Sequence, residues 1–258
     1  MELFSNHSLF ERWRKLIEDR IKDKNLRLRR CLPEKDQVFY ASWSGDQNCV
    51  KKLLDARATG DTTAWRLGPA LHIASKFGHL ETVALLIREG ANVNAAVERR
   101  NILYTAVKAG QMDIIALLIK EGADVNAQEG RYGNVLEVAS RSGRMDIVEL
   151  LIRQGADVNV HSTYTNALCT ASYYGHLNIV MHLVEEGADV NAEVYYDTPL
   201  CAASRSGHLN IVAYLVEKGA DVNAPRGGFE NALRAAITFQ RDSVVKFLQN
   251  HKADLRHQ

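Results

Sequence analysis

Gly187-Ala188-Asp189-Val190-Asn191 decides the fold, because the string returns in phase along the chain. Gly-Ala-Asp/Asn-Val-Asn begins at Gly90, Gly122, Gly155, Gly187 and Gly219, at steps of 32, 33, 32 and 32 residues. A degenerate copy, Lys252-Ala253-Asp254-Leu255, follows 33 residues after the last. Working outward, a second glycine stands about twelve residues earlier, at Gly45, Gly78, Gly110, Gly143, Gly175 and Gly207, with Gln240 in the seventh place. Four residues before each of these lies Ala41, Ala74, Ala106, Ala139, Ala171, Ala203 or Ala236. A fixed period of this length marks a stack of like units, seven of them here, over residues 33–258.

Each unit reads as two short helices. Pro69 suits the opening of a first helix, where its missing N–H forfeits no hydrogen bond. That helix runs through Leu71 and Ala74 and stops near Gly78, a residue suited to a left-handed cap. Leu80, Val83, Leu86 and Ile87 then share one face of a second, amphipathic helix. Ala91–Val97 reads as a loop, with Asn and Asp supplying turn chemistry. The recurring alanine lets paired helices approach to roughly 8–10 Å.

Gly68-Pro69-Ala70-Leu71-His72-Ile73-Ala74-Ser75 and Asp197-Thr198-Pro199-Leu200-Cys201-Ala202-Ala203 resemble the T-P-L-H-x-A-A signature of ankyrin repeats, and the Gly-His-Leu and Gly-Ala-Asp-Val-Asn-Ala segments match as well. Tyr132-Gly133-Asn134-Val135-Leu136, with partial copies at Asn166-Ala167-Leu168 and Asn231-Ala232-Leu233, is similar to the Y-G-N-A-L variant of ankyrin arrays in filamentous fungi. The resemblance implies an all-α, right-handed solenoid. It also implies non-catalytic recognition of a partner protein through a concave groove built from loop tips and the exposed side of the first helices.

One unit of this kind cannot bury its own apolar face, so terminal units must turn a polar side outward. Gln240, Arg241 and Lys252 replace marker residues in the last unit, and Arg57 with Thr59–Thr63 makes the first unit irregular. Ahead of the array, Ser8-Leu9-Phe10-Glu11 is a capping-box pattern, and Leu9, Phe10, Trp13, Leu16, Ile17 and Ile21 fall on one helical face. Residues 1–32 therefore read as an amphipathic helix with nine Lys/Arg against five Asp/Glu, a local balance of +4. Covering the first repeat is its expected role; docking a partner and serving as a linker remnant stay open.

Composition narrows the function. Lys plus Arg is 32 and Asp plus Glu 31, so the whole-chain charge of +1 does not draw the protein toward nucleic acid or an anionic membrane. No apolar run reaches membrane-spanning length, and Glu2, Glu11 and Arg12 argue against a secretory leader. Four cysteines without CxxC spacing form neither a zinc nor a disulfide framework, so a reducing, cytoplasmic setting and a monomer are expected. P-loop, GxGxxG and HExxH patterns are absent, and neither cofactor nor metal is expected.

His79, His176 and His208 all follow a mid-repeat glycine and are expected to form caps rather than to ligate a metal. One first-helix place holds Phe39, His72, Tyr104, Glu137, Cys169, Cys201 and Arg234 in turn. Glu137 beside Cys169 would raise the thiol pKa, the wrong direction for a nucleophile, so packing and hydrogen bonds between repeats are expected there. Cys169 and Cys201 are expected to be packed, free thiols.

The positions that break the repeat carry the information about binding. Just before the mid-repeat glycines stand Trp43, Lys76-Phe77, Lys108, Arg141, Tyr173-Tyr174 and Arg205; loop tips add Arg131-Tyr132, Tyr164, Tyr196 and Phe229. Aromatic side chains interleaved with Lys and Arg are the types enriched in binding hot spots. They suit a partner with acidic and apolar groups. Packing of each aromatic against its own loop is the bland alternative, and use of the groove by a small ligand or for catalysis is a further one.

Overall fold

The computed structural model describes residues 37–57, 67–97, 100–127, 133–162, 165–194, 197–224 and 231–251. The segment expected to form an N-terminal helix, the irregular first loop and the tail beyond His251 lie outside the described residues. The chain divides between Asp124 and Val125 into two units. In the first, consecutive helices are α1 (Gln37–Ser44), α2 (Gln47–Arg57), α3 (Leu67–Phe77), α4 (Leu80–Arg88), α5 (Ile102–Ala109) and α6 (Met112–Lys120). In the second they are α7 (Val135–Ser142), α8 (Met145–Arg153), α9 (Ala167–Tyr174), α10 (Leu177–Glu185), α11 (Pro199–Ser206), α12 (Leu209–Glu217), α13 (Ala232–Thr238) and α14 (Asp242–Asn250).

Short polar side chains start the first helix in five of the seven described pairs. The Oδ1 atoms of Asn101, Asn134, Asn166 and Asn231 accept from the backbone N–H three residues on, at 2.6, 2.8, 2.7 and 2.9 Å, and Thr198 Oγ1 does the same for Cys201 at 3.1 Å. Asparagine in the Y-G-N-A-L variant therefore performs the chemistry of the threonine in T-P-L, satisfying an amide that the helix leaves without a partner. Pro69 sits in the first turn of α3, two residues inside its start at Leu67.

The alanine at the centre of each first helix is wholly buried. In the first unit α3 packs on α1 and α5; in the second α9 packs on α7 and α11, and α11 on α13. Leu136, Leu168, Leu200 and Leu233 are buried in the first helices, and Ile147, Ile179, Ile211 and Val244 in the second helices of the same unit. The loop expected over Ala91–Val97 is partly a strand: β1 (Ala96–Val97) pairs antiparallel with β2 (Arg100–Asn101). Single bridges His161–Asn166 and Val194–Asp197 occupy equivalent places in the second unit. Among the described residues the fold is otherwise helical, and no helix is long and apolar enough to cross a membrane.

Two polar ladders join successive pairs. In the second unit Asn159 Nδ2 donates to the Gly187 carbonyl (3.0 Å) while its Oδ1 accepts from the Asp189 N–H (2.9 Å). Asn126 makes the same two bonds to Gly155 and Asp157, and Asn191 to Gly219 and Asp221. The asparagines closing the first four Gly-Ala-Asp/Asn-Val-Asn strings thus serve both the donor and the acceptor of the next string, which accounts for the phase of the motif. The second ladder belongs to the histidines. Their side chains do not cap the helix that each of them precedes. Instead Nε2 of His176 and His208 lies 3.2 and 3.1 Å from the carbonyls of Arg141 and Tyr173, and His79 reaches Trp43 at 2.9 Å. Those carbonyls sit in the last turn of a helix, where no intrahelical N–H is available.

Candidate interaction face

In the first unit Phe77 is 43% exposed and Trp43 half-buried, their rings 5.8 Å apart. Lys76 Nζ stands 5.5 Å from the Phe77 ring centre, and Lys108 is exposed at the end of α5. An aromatic pair edged by cations is therefore present at the ends of α1 and α3.

The second unit carries the larger constellation. Tyr173 and Tyr174 close α9 and remain 42% and 48% exposed, with ring centres 5.1 Å apart at nearly right angles. The Tyr174 ring lies parallel to His176 at 6.5 Å. On α11 the Arg205 guanidinium stands 4.8 Å from the Tyr173 ring centre and donates to Asp197 Oδ2 at 2.7 Å. Arg141, closing α7, is exposed. Arg141, Cys169, Tyr173, Tyr174, Asp197 and Arg205 line a depression of about 180 Å³. Arg131, Tyr132, Tyr164, Tyr196 and Phe229 lie outside the described residues.

Asp197 is the residue that the repeat pattern did not single out. It precedes the Thr198 cap, and its eight-residue spacing from Arg205 was the available signal; a bridge to Val194 holds its backbone just ahead of α11, and Arg205 reaches it at 2.7 Å. Burial pushes its carboxyl up to about 6, against the pull of Arg205. Cys169 and Cys201 are buried and reduced, and burial raises the first well above the ordinary thiol value and the second to about 11. Thiols shifted in that direction do not supply a thiolate nucleophile. Glu137, wholly buried, accepts from Ser162 N–H (3.0 Å), Ser162 Oγ (3.1 Å) and Asn134 Nδ2 (3.3 Å). It ties one helix pair to the loop of the next, as expected for this place. Burial pushes its carboxyl up to about 7. Burial also lowers His72 to about 4, aided by Lys76 and Arg100. Among the described residues no group of His, Cys, Asp or Glu is arranged to hold a metal ion.

A family model described as ankyrin repeats (3 copies) matches residues 38–129 and again 135–226. The chain belongs to the ankyrin repeat family. Among solved structures, the human ASB11 ankyrin repeat domain superposes with a TM-score of 0.71 at 23% identity, covering 83% of this chain and 98% of that one. At that identity the likeness concerns the ankyrin fold alone. A search of curated proteins finds no match. Ankyrin repeats generally mediate protein–protein interaction, and the exposed rings lie on the first helices of these repeats.

Proposed function

We propose that this ankyrin repeat protein is a non-catalytic scaffold that holds a partner protein against the exposed side of its first helices, the concave groove of such arrays. Tyr173 and Tyr174 carry this reading: two large rings stay exposed, already oriented by neighbours, where a merely structural position would hold a small or polar side chain. Tyr and Arg supply large contact area at low conformational cost. The partner offers acidic and apolar groups, matching Lys76, Lys108 and Arg141 beside Trp43, Phe77 and the two tyrosines. A reducing intracellular setting is supported by the three described cysteines, all buried and unlinked.

The test compares two faces. One variant replaces Arg141, Tyr173 and Tyr174 by Ala; the other replaces Glu149, Arg153 and Glu186, which line a depression of about 280 Å³ on the second helices. Arg205 is left intact in both, because removing it would strand the Asp197 carboxylate. Partners captured by crosslinking the wild-type chain should be lost from the first variant and kept by the second, with both retaining the wild-type melting temperature. Loss from the second variant alone would place binding on the opposite face.

A further inference from the structure

The depression in the second unit has a charge inventory that is not balanced. Its ionic groups are Arg141, Arg205 and Asp197. The Arg205 and Asp197 side chains are 30% and 10% exposed and meet at 2.7 Å, so these two charges answer each other. Arg141 has no ion-pair partner among the described residues. Glu137, one turn earlier on α7, feels its charge, but that side chain is wholly buried and its oxygens are taken by Ser162 and Asn134. One solvent-facing guanidinium without an ion-pair partner among the described residues therefore stands at the rim, beside two exposed rings.

The rings are themselves held. Arg205 covers one face of Tyr173, and Tyr174 runs parallel to His176. Planar stacking of a guanidinium on an aromatic face adds attraction to the ion pair that aims it. Arg205 thus has two jobs within the fold before any partner arrives, neutralising Asp197 and fixing the Tyr173 ring.

Resting on the interaction reading above, we propose that this depression takes an acidic side chain of an extended partner segment, with Arg141 reading its carboxylate and the adjoining apolar or aromatic side chain lying on Tyr173 and Tyr174. Arg205 is a positioning residue for Tyr173 and not a second reader. A single carboxylate matches the single guanidinium without an ion-pair partner, and the planar fork of arginine matches its geometry. A cationic segment would meet Arg141 without compensation. A phosphate dianion would need a second cation that Arg205, committed to Asp197, does not supply.

The probes are three capped dipeptides, acetyl-Glu-Phe-amide, acetyl-Gln-Phe-amide and acetyl-Lys-Phe-amide, titrated into the full isotope-labelled chain. The arginine Nε–H signals and the tyrosine ring signals are followed by nuclear magnetic resonance. The Glu peptide should shift Arg141, Tyr173 and Tyr174 and bind about fivefold more tightly than the Gln peptide, with the preference shrinking as salt rises from about 20 to about 200 mM. Arg141→Gln should abolish that preference while leaving Gln-peptide binding unchanged. Arg205→Ala, made together with Asp197→Ala so that no buried charge is stranded, should move the Tyr173 ring signals of the free protein. It should weaken Glu and Gln peptides by the same factor and keep the preference. Equal binding of the Glu and Gln peptides, no shift at Arg141 up to about 20 mM peptide, tighter binding of the Lys peptide, or loss of the preference on removing Arg205 and Asp197 would each overturn the assignment. Displacement of the Glu peptide by inorganic phosphate at equal concentration would overturn the single-charge argument. If the first-helix variants above lose the captured partner while the peptides show no preference, this assignment fails alone; if only the second-helix variants lose it, the interaction reading fails first.

Discussion

The His208 ring lies over Gly175, its Nε2 3.1 Å from the Tyr173 carbonyl and its Cε1 2.6 Å from where a Cβ on that glycine would stand. Gly175 has φ +83° as the left-handed cap of α9, so a side chain there meets two penalties at once. His176 stands over Gly143 in the same way, at 2.7 Å.

Gly155 separates the two penalties. It has φ +86° but nothing within 4 Å of an added Cβ. Gly155→Ala should cost the backbone term alone, about 1 kcal/mol. Gly175→Ala should cost about 1 kcal/mol more, because the His208 ring must move off its carbonyl. Urea denaturation of the two variants measures the difference, and equal losses would show that the histidine contact contributes nothing.

Asn159 supports two backbone groups of the next repeat string, so Asn159→Ala removes both bonds. Exposure limits the loss to about 1 kcal/mol. Amide exchange at Asp189 should quicken in this variant more than at Asp221, whose N–H is held by Asn191. Unaltered exchange at Asp189 would argue that the ladder is incidental.

Ser140, Ser172 and Ser204 are wholly buried in α7, α9 and α11, with hydroxyls that find no partner. Val107 stands at the equivalent place in α5 and is buried too. Ser172→Ala should therefore leave stability unchanged or raise it by up to about 1 kcal/mol, since a desolvated hydroxyl is removed. A clear fall in melting temperature would contradict this.

Glu137 makes stability depend on pH in a defined direction. Its folded-state carboxyl is raised from 4.5 to about 7, so the folded protein holds a proton that the unfolded chain has released between those values. Stability is fully present below about 4.5 and falls as pH rises through about 7, by on the order of 2–3 kcal/mol. Asp197 acts in the same sense over a lower window, from 3.8 to about 6. Glu137→Gln should flatten the curve between about pH 6 and 7 and lessen its slope between about 4.5 and 6, where the Asp197 contribution remains. Chemical denaturation across pH 4 to 8 checks it; an unchanged upper slope would assign the proton elsewhere.

Phase along the chain determined the helix pairs, their glycine stops, the buried alanines and the polar caps, because each depends on a few neighbouring residues and recurs wherever they do. The Asn in Asn134-Val135-Leu136 marks a helix start by the same local chemistry as the Thr in Thr198-Pro199-Leu200. What His208 does was not legible, since its acceptor lies 35 residues back. The same holds for Asn159, legible as a turn residue but not as a bridge to Gly187. Sequence placed Arg205 on the exposed side of its helix, next to tyrosines. Only the tertiary structure decided that Asp197 answers its charge, that its guanidinium covers Tyr173, and that Arg141 has no ion-pair partner among the described residues. A repeat period sets which way a side chain leaves its helix, whereas ion pairing and ring contact depend on the path of the intervening loop, which the period leaves free.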